Sequence, residues 1–232
     1  MNPRQIRNWL VSGLLALLAA CGGGGNGGSG TSTSADVFQL RTAFINYILD
    51  NSSQPFSLSG YDNGVSYSGS GTATQGSLYS VTFEGHPALQ KTSTATGTLT
   101  ANGQSRPLAV SATAYVDGNY NVLGFYGNEY EVVSTSNPIP ATAKVNDTGV
   151  WYTTTRYTSP GKTTRNGTAT ATFVLEPDTA NTALLKIITV ERDNSNVPTS
   201  TNTNTFRITP AGGLTRISET LVEGTSSLTI NY

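Results

Sequence analysis

Thr92-Ser93-Thr94-Ala95-Thr96-Gly97-Thr98-Leu99-Thr100-Ala101 is the stretch on which the fold turns. Threonine takes every second position from 92 to 100, and Ala95, Gly97, Leu99 and Ala101 take the positions between. Successive side chains of a strand point to opposite faces, so this spacing makes one hydroxyl face and one small, apolar face. Residues 164–175 repeat it: Thr164, Asn166, Thr168, Thr170 and Thr172 face one way, and Ala169, Ala171, Phe173 and Leu175 the other. A wet face over an apolar one is the mark of an antiparallel sheet with one side on a core.

Working outward, further strands are expected at 56–61, 65–74, 78–84, 107–116, 120–126, 129–134, 150–158, 184–192, 204–209, 214–222 and 227–232. Asp117-Gly118-Asn119 and Ala211-Gly212-Gly213 read as hairpin turns. One helix is expected over Asp36–Leu49, where Val37, Leu40, Phe44, Tyr47 and Ile48 share a face. Ser34 is its expected N-cap, and Asn51-Ser52-Ser53-Gln54-Pro55 ends it. The fold class is therefore all-β, mainly antiparallel, with about 11 to 13 strands and one short N-terminal helix. A curved sheet wrapped on the helix, an open barrel and a sandwich all remain open at this point.

An internal duplication is a further expectation. Asp62-Asn63-Gly64-Val65-Ser66-Tyr67 and Asp147-Thr148-Gly149-Val150-Trp151-Tyr152 share the pattern D-x-G-V-x-Y. Gly71-Thr72-Ala73-Thr74 and Gly167-Thr168-Ala169-Thr170 follow in the same order, and each half then reaches a glycine hairpin, at Gly118 and Gly212. The halves would be about 55–136 and 141–232, joined at Asn137-Pro138-Ile139-Pro140, where two prolines discourage strand pairing.

The N-terminus carries a different signal. Arg4 and Arg7 precede an apolar stretch from Trp9 to Ala20. That run is shorter than the roughly 20 residues needed to span a bilayer, and it reads as a targeting segment. It ends in Leu18-Ala19-Ala20-Cys21, which resembles the lipobox of bacterial lipoproteins. The resemblance covers about the first 21 residues. It implies a signal peptide of residues 1–20, cleavage between Ala20 and Cys21, and acyl chains on Cys21. Two or more such chains anchor firmly where one is marginal. Gly22 follows Cys21 in place of aspartate, which in this family favours the outer membrane; which side of that membrane the protein faces is left open. Residues 21–34, rich in glycine and serine, read as a flexible tether. Residues 35–232 then form the β domain.

Composition narrows the chemistry. Losing Arg4 and Arg7 leaves 11 of the 13 basic residues against 14 acids, a formal charge of about −3. No basic patch stands out, so nucleic acid is not an expected partner. Threonine makes up about one residue in six beyond residue 34, a composition suited to pleated surfaces. Cys21 is the only cysteine and His86 the only histidine, so one chain offers no His/Cys metal cluster. No metal or other cofactor is expected, and no catalytic residues are assigned. Asp117-Gly118-Asn119 and Asp193-Asn194-Ser195-Asn196 hold oxygens that could face calcium, but turn chemistry explains them more simply. The acids Glu84, Glu129, Glu131, Glu176, Glu191, Glu219, Glu223, Asp62, Asp117, Asp147 and Asp178 are scattered, and sequence spacing singles out no pair. Tyr115, Tyr120, Phe125, Tyr126, Tyr130, Trp151, Tyr152 and Tyr157 cluster mid-chain, as core or as platforms for sugar rings.

The expected function is a non-catalytic, lipid-anchored envelope lipoprotein with a binding or structural role. Its expected partners are the membrane, through the anchor, and an envelope protein or glycan. The order of a helix and then a curved sheet also resembles the lipoprotein-localisation chaperones, which implies a carrier of an apolar ligand between helix and sheet. A hydrolase acting on glycan through a carboxylate pair is the remaining alternative.

Overall fold

Alternating strands joined by tight turns leave the chain few ways to hide its apolar faces, and it takes the simplest by rolling the sheet shut. The computed structural model describes Ser34 and residues 36–232. The signal segment, Ala20, Cys21 and the tether up to residue 33 lie outside the described residues.

Helix α1 (Leu40–Leu49) is followed by twelve strands: β1 (Ser53–Asp62), β2 (Val65–Phe83), β3 (His86–Ala101), β4 (Gln104–Val116), β5 (Val122–Tyr126), β6 (Tyr130–Ser136), β7 (Thr148–Tyr157), β8 (Arg165–Thr179), β9 (Thr182–Arg192), β10 (Pro198–Ile208), β11 (Leu214–Glu223) and β12 (Ser226–Asn231). Each pairs antiparallel with the next, and β1 pairs with β12 from Ser57↔Asn231 to Tyr61↔Ser227. The barrel is thus closed rather than open, which leaves no sheet edge unpaired. Two of its hairpins turn on Asn63-Gly64 (φ 46° and 87°) and Asn102-Gly103 (φ 50° and 71°). Two-residue turns of this kind need positive φ at both central positions, which the Asn-Gly pair adopts with least strain.

Several sequence expectations are corrected. The strands expected at 65–74 and 78–84 are one strand of 19 residues, β2. The gap between them holds Gly76-Ser77, a bulge in the pairing with β3 between Gln75 and Leu78. The helix begins at Leu40, four residues later than expected, because Phe38 is engaged elsewhere. It exchanges backbone hydrogen bonds with Ala143, N to O at 2.9 and 3.0 Å. Ser34 is therefore not the N-cap; its Oγ accepts from the Asp36 N–H at 3.1 Å, and Gln39 caps without a side-chain bond. The helix stops at Leu49, and Ser53, Gln54 and Pro55 already belong to β1.

The connection at 137–147 divides the strands into β1–β6 and β7–β12, six on each side. The two sets build one barrel. The G-T-A-T segments on β2 and β8 and the glycine turns at Gly118 and Gly212 lie six strands apart. The D-x-G-V-x-Y segments open β2 and β7, five apart.

Alternation sets the polarity of the wall. Ala95 and Leu99 of β3 and Ala169, Ala171, Phe173 and Leu175 of β8 are buried inside, while the intervening threonines face out. Outward hydroxyls pair across strands, as in Thr92–Thr113 at 3.0 Å and Thr153–Thr170 at 3.2 Å. A lipid-spanning barrel has an apolar band at these outward positions. Among the described residues no helix is long and apolar enough to cross a membrane.

The interior is filled in two halves. Around α1 lie Phe38, Ile48, Phe125, Trp151, Leu175, Leu185, Phe206 and Ile208. Phe56, Leu58, Tyr67, Leu99, Leu108, Leu221, Leu228 and Ile230 form a second cluster. Buried polar side chains also point inward, among them Lys91, Glu131, Thr154, Arg156, Asn202, Asn204, Arg216 and Glu219.

Candidate functional site

Helix α1 covers one end of the barrel. Its apolar positions Leu40, Ala43, Phe44, Tyr47 and Ile48 recur at helical spacing and turn inward, while Thr42, Asn46 and Leu49 face out. The loops at that end hold it. The Gln39 N–H donates to the Pro210 carbonyl at 3.1 Å and the Arg41 N–H to Ala141 at 3.4 Å. The Arg41 guanidinium reaches the Asn119 carbonyl at 3.1 Å, and the Asn46 amide reaches Gly212 at 3.2 Å. Gly212 has φ +84°, and a Cβ there would stand 2.9 Å from the Gln39 carbonyl oxygen. Only glycine lets the β10–β11 turn approach the helix this closely.

At the other end of α1, the buried Lys91 of β3 donates to the carbonyls of Ile48 (2.7 Å) and Asp50. An ammonium suits the negative end of a helix and satisfies carbonyls that have no intrahelical partner. Burial pushes the Lys91 amine down to about 8. The helix is therefore seated by design at both ends.

Between α1 and the wall lies a cavity of about 80 Å³. From the helix, Phe44, Tyr47 and Ile48 line it. From the wall come the rings of Phe125, Trp151, Tyr152 and Phe206 and the aliphatic Val116, Val122, Leu185, Ile187 and Leu214. The rings brace one another edge-on: Phe44–Trp151 at 4.1 Å and 89°, Tyr47–Phe206 at 5.4 Å and 89°. Polar groups enter from one side: Glu131, Thr189, Glu191, Asn202 and Asn204. Phe44, Ile187, Thr189 and Glu191 keep partial contact with solvent.

Glu131 of β6 is 7 % exposed. Its Oε2 accepts from the Thr154 hydroxyl at 2.7 Å. The nearby guanidinium of Arg156 goes to two other acids, Nε to Glu129 and Nη2 to Glu191, each at 2.7 Å. Burial and the Glu191 charge push the Glu131 carboxyl up to about 7, against the opposing pull of Thr154 and Arg156. Burial likewise raises Glu129, with Arg156 opposing. Two carboxylates thus bond the guanidinium, and the third, Glu131, lies near its charge without bonding to it.

A second network runs behind Asn202 and Asn204. The Asn202 amide donates to Glu219 at 2.8 Å, the Asn204 amide to Asn202 Oδ1 at 2.7 Å, and Arg216 Nη2 to Glu219 at 3.0 Å. The Arg216 guanidinium also lies 3.9 Å from the Tyr232 ring centroid. Burial raises the Glu219 carboxyl, opposed by Arg216. These bonds hold the two asparagines in position on the cavity wall.

Comparison with protein-family models, curated proteins and solved structures gives no match to this chain. The site must be read from its own chemistry.

The structure sorts the sequence candidates. Of the scattered acids it brings together Glu129, Glu131 and Glu191. Glu84 and Asp178 are held low by Lys162 and Arg207 respectively, on the surface. His86 opens β3 and lines a separate open cleft of about 520 Å³ with Glu84, Asp117 and Ser136. Among the described residues no group of three His, Cys, Asp or Glu side chains could hold a metal ion. The two oxygen-rich turns spend their carboxylates on themselves: Asp117 accepts from the backbones of Asn119 and Asn121, and Asp193 from those of Ser195 and Val197. The mid-chain aromatics divide across the wall. Phe125, Trp151 and Tyr152 point in. Tyr115 and Tyr130 join Phe83 in an outer patch, with Phe83–Tyr115 at 4.2 Å, beside the exposed Tyr126.

Sequence reading placed Phe44, Tyr47 and Ile48, the helix side of the cavity, on the apolar face of the helix but missed the polar residues Asn202 and Asn204. A signal for the asparagines was present. In Thr201-Asn202-Thr203-Asn204-Thr205, period two puts both on one face, opposite the threonines.

Proposed function

We propose that this protein is a non-catalytic binding protein of the cell envelope, held by lipid on Cys21, that takes a small ligand in the cavity beneath α1. The observation that carries the reading is that cavity: aromatic and aliphatic on most sides, with Glu131, Asn202 and Asn204 converging on it. Mostly apolar concavities with a few placed polar groups are the usual form of small-molecule sites. The size sets the ligand class. An engineered cavity of about 150 Å³ admits benzene; roughly half of that fits a group of a few heavy atoms better than a whole sugar ring or a whole acyl chain. This disfavours a glycan hydrolase working through Glu131 and Glu191, and equally a lipid carrier. The anchor rests on the Leu18-Ala19-Ala20-Cys21 motif, which favours the outer membrane.

Two experiments test the reading. Trp151 lines the cavity, and the only other tryptophan is Trp9 in the targeting segment. A panel of small alcohols, amines and hydrocarbons should therefore include compounds that shift Trp151 emission saturably and raise the melting temperature. A panel that leaves both unchanged contradicts the binding role. For the anchor, cells fed radiolabelled palmitate should label the wild-type chain and not Cys21→Ser. Label on both, or on neither, contradicts lipidation at Cys21.

A further inference from the structure

We infer that the ligand of the cavity is a small organic cation, an alkylammonium whose charged head sits against Glu131. The inference rests on the cavity being a binding site and names what it binds. The first support is charge. Glu129, Glu131 and Glu191 surround one guanidinium, and both nitrogens of Arg156 that reach acids go to Glu129 and Glu191. The other buried cations among the described residues are committed elsewhere, Lys91 to the helix carbonyls and Arg216 to Glu219. Glu131, on the cavity wall, is served by a neutral hydroxyl. A buried carboxylate without a counter-charge is costly, and an ammonium in the cavity would supply one.

The second support is the lining. Trp151, Phe44 and Phe125 surround the same space, and aromatic rings attract cations that have left water. An anion would meet Glu131 and Glu191 and be repelled. A hydrocarbon would fit the rings but leave the carboxylate desolvated. The third support is size. About 80 Å³ accommodates a head of a few heavy atoms. A ligand of four non-hydrogen atoms binds no tighter than roughly tens of micromolar, so the site suits an amine present at high concentration.

The test uses the purified protein carrying Trp9→Phe, so that Trp151 is its only indole with or without residues 1–20, at pH 8. n-Propylammonium and 1-propanol, which match in shape, are titrated while Trp151 emission is recorded. The expected result is that n-propylammonium saturates at a concentration about tenfold or more below that of 1-propanol, a ratio worth about 1.4 kcal/mol. Its affinity should weaken below pH 7, as Glu131, which faces Glu129, Arg156 and Glu191, takes up a proton. Glu131→Gln, folded by circular dichroism, should bind both probes alike. If 1-propanol binds as well as n-propylammonium to the wild type, the cation assignment fails and the cavity stands. If neither probe moves the emission at about 100 mM, the binding role fails with it.

Discussion

Replacing Glu131 with glutamine should stabilise the protein at alkaline pH and leave it nearly unchanged in acid. Glutamine keeps the shape and can still accept from the Thr154 hydroxyl, but it carries no charge to bury. In the folded chain burial pushes the Glu131 carboxyl from 4.5 to about 7. The folded state thus holds its proton more tightly than the unfolded state. The stability from this group is complete below pH 4.5 and is lost as pH rises through 7. The two values differ by about 2.5, and at about 1.4 kcal/mol per pH unit wild type loses about 3 kcal/mol across that window. Glu131→Gln has nothing to lose there. At pH 8 it should be more stable than wild type by up to about 3 kcal/mol, or several degrees in melting temperature for a chain of this size. The assay is urea unfolding of both proteins at intervals from pH 4 to 9, read as their difference, because every other titratable group is common to both. A difference that stays flat across the window, or a variant less stable at pH 8 than at pH 4.5 relative to wild type, would refute the reasoning.

Three further outcomes follow from the seating of the helix and the packing of the barrel. Burial lowers Lys91 to about 8, so between there and its ordinary 10.5 the unfolded chain binds more protons and stability should rise with pH. Lys91→Met should flatten that rise and, by orphaning the Ile48 and Asp50 carbonyls, cost about 1–3 kcal/mol at neutral pH, read by chemical denaturation. Gly212→Ala should cost about 1–3 kcal/mol through backbone strain and shift Trp151 emission toward the red as α1 lifts from the cavity; an unshifted spectrum would separate the turn from the helix seat. Leu175→Ala, at a fully buried position, should cost about 2–5 kcal/mol with no change in emission maximum, since Leu175 is not part of the cavity lining.

How far the fold was legible depends on where its determinants lie in the chain. Thr92–Ala101 could be placed correctly, face by face, because threonine and alanine separate cleanly at period two, and β8 could be placed for the same reason. The gap left at 75–77 between two expected strands is a bulge, because glycine and serine interrupt the period-two pattern in bulges and turns alike; only pairing with β3 distinguishes them. The start of α1 depended on Phe38 pairing with Ala143, 105 residues away in sequence numbering, which helical periodicity does not register. Closure depended on β1 meeting β12, and neither strand differs in composition from an inner one. The site was harder still. Glu129 comes from the β5–β6 turn, Glu131 from β6 and Glu191 from β9, and nothing local marks them from the surface acids Glu84 and Glu176. Only the rolled sheet puts them around one arginine. Asn202 and Asn204 left a trace in the alternation, because an inward polar pair disturbs an otherwise regular pattern.

The cavity as a binding site is tested most directly by crystals of the chain soaked in n-propylammonium and imaged by difference density. The account requires new density beneath α1, between the Trp151 ring and the Glu131 carboxylate, with its nitrogen at hydrogen-bond distance from Glu131. Density confined to water there, or a probe found only on the outer wall, would contradict it.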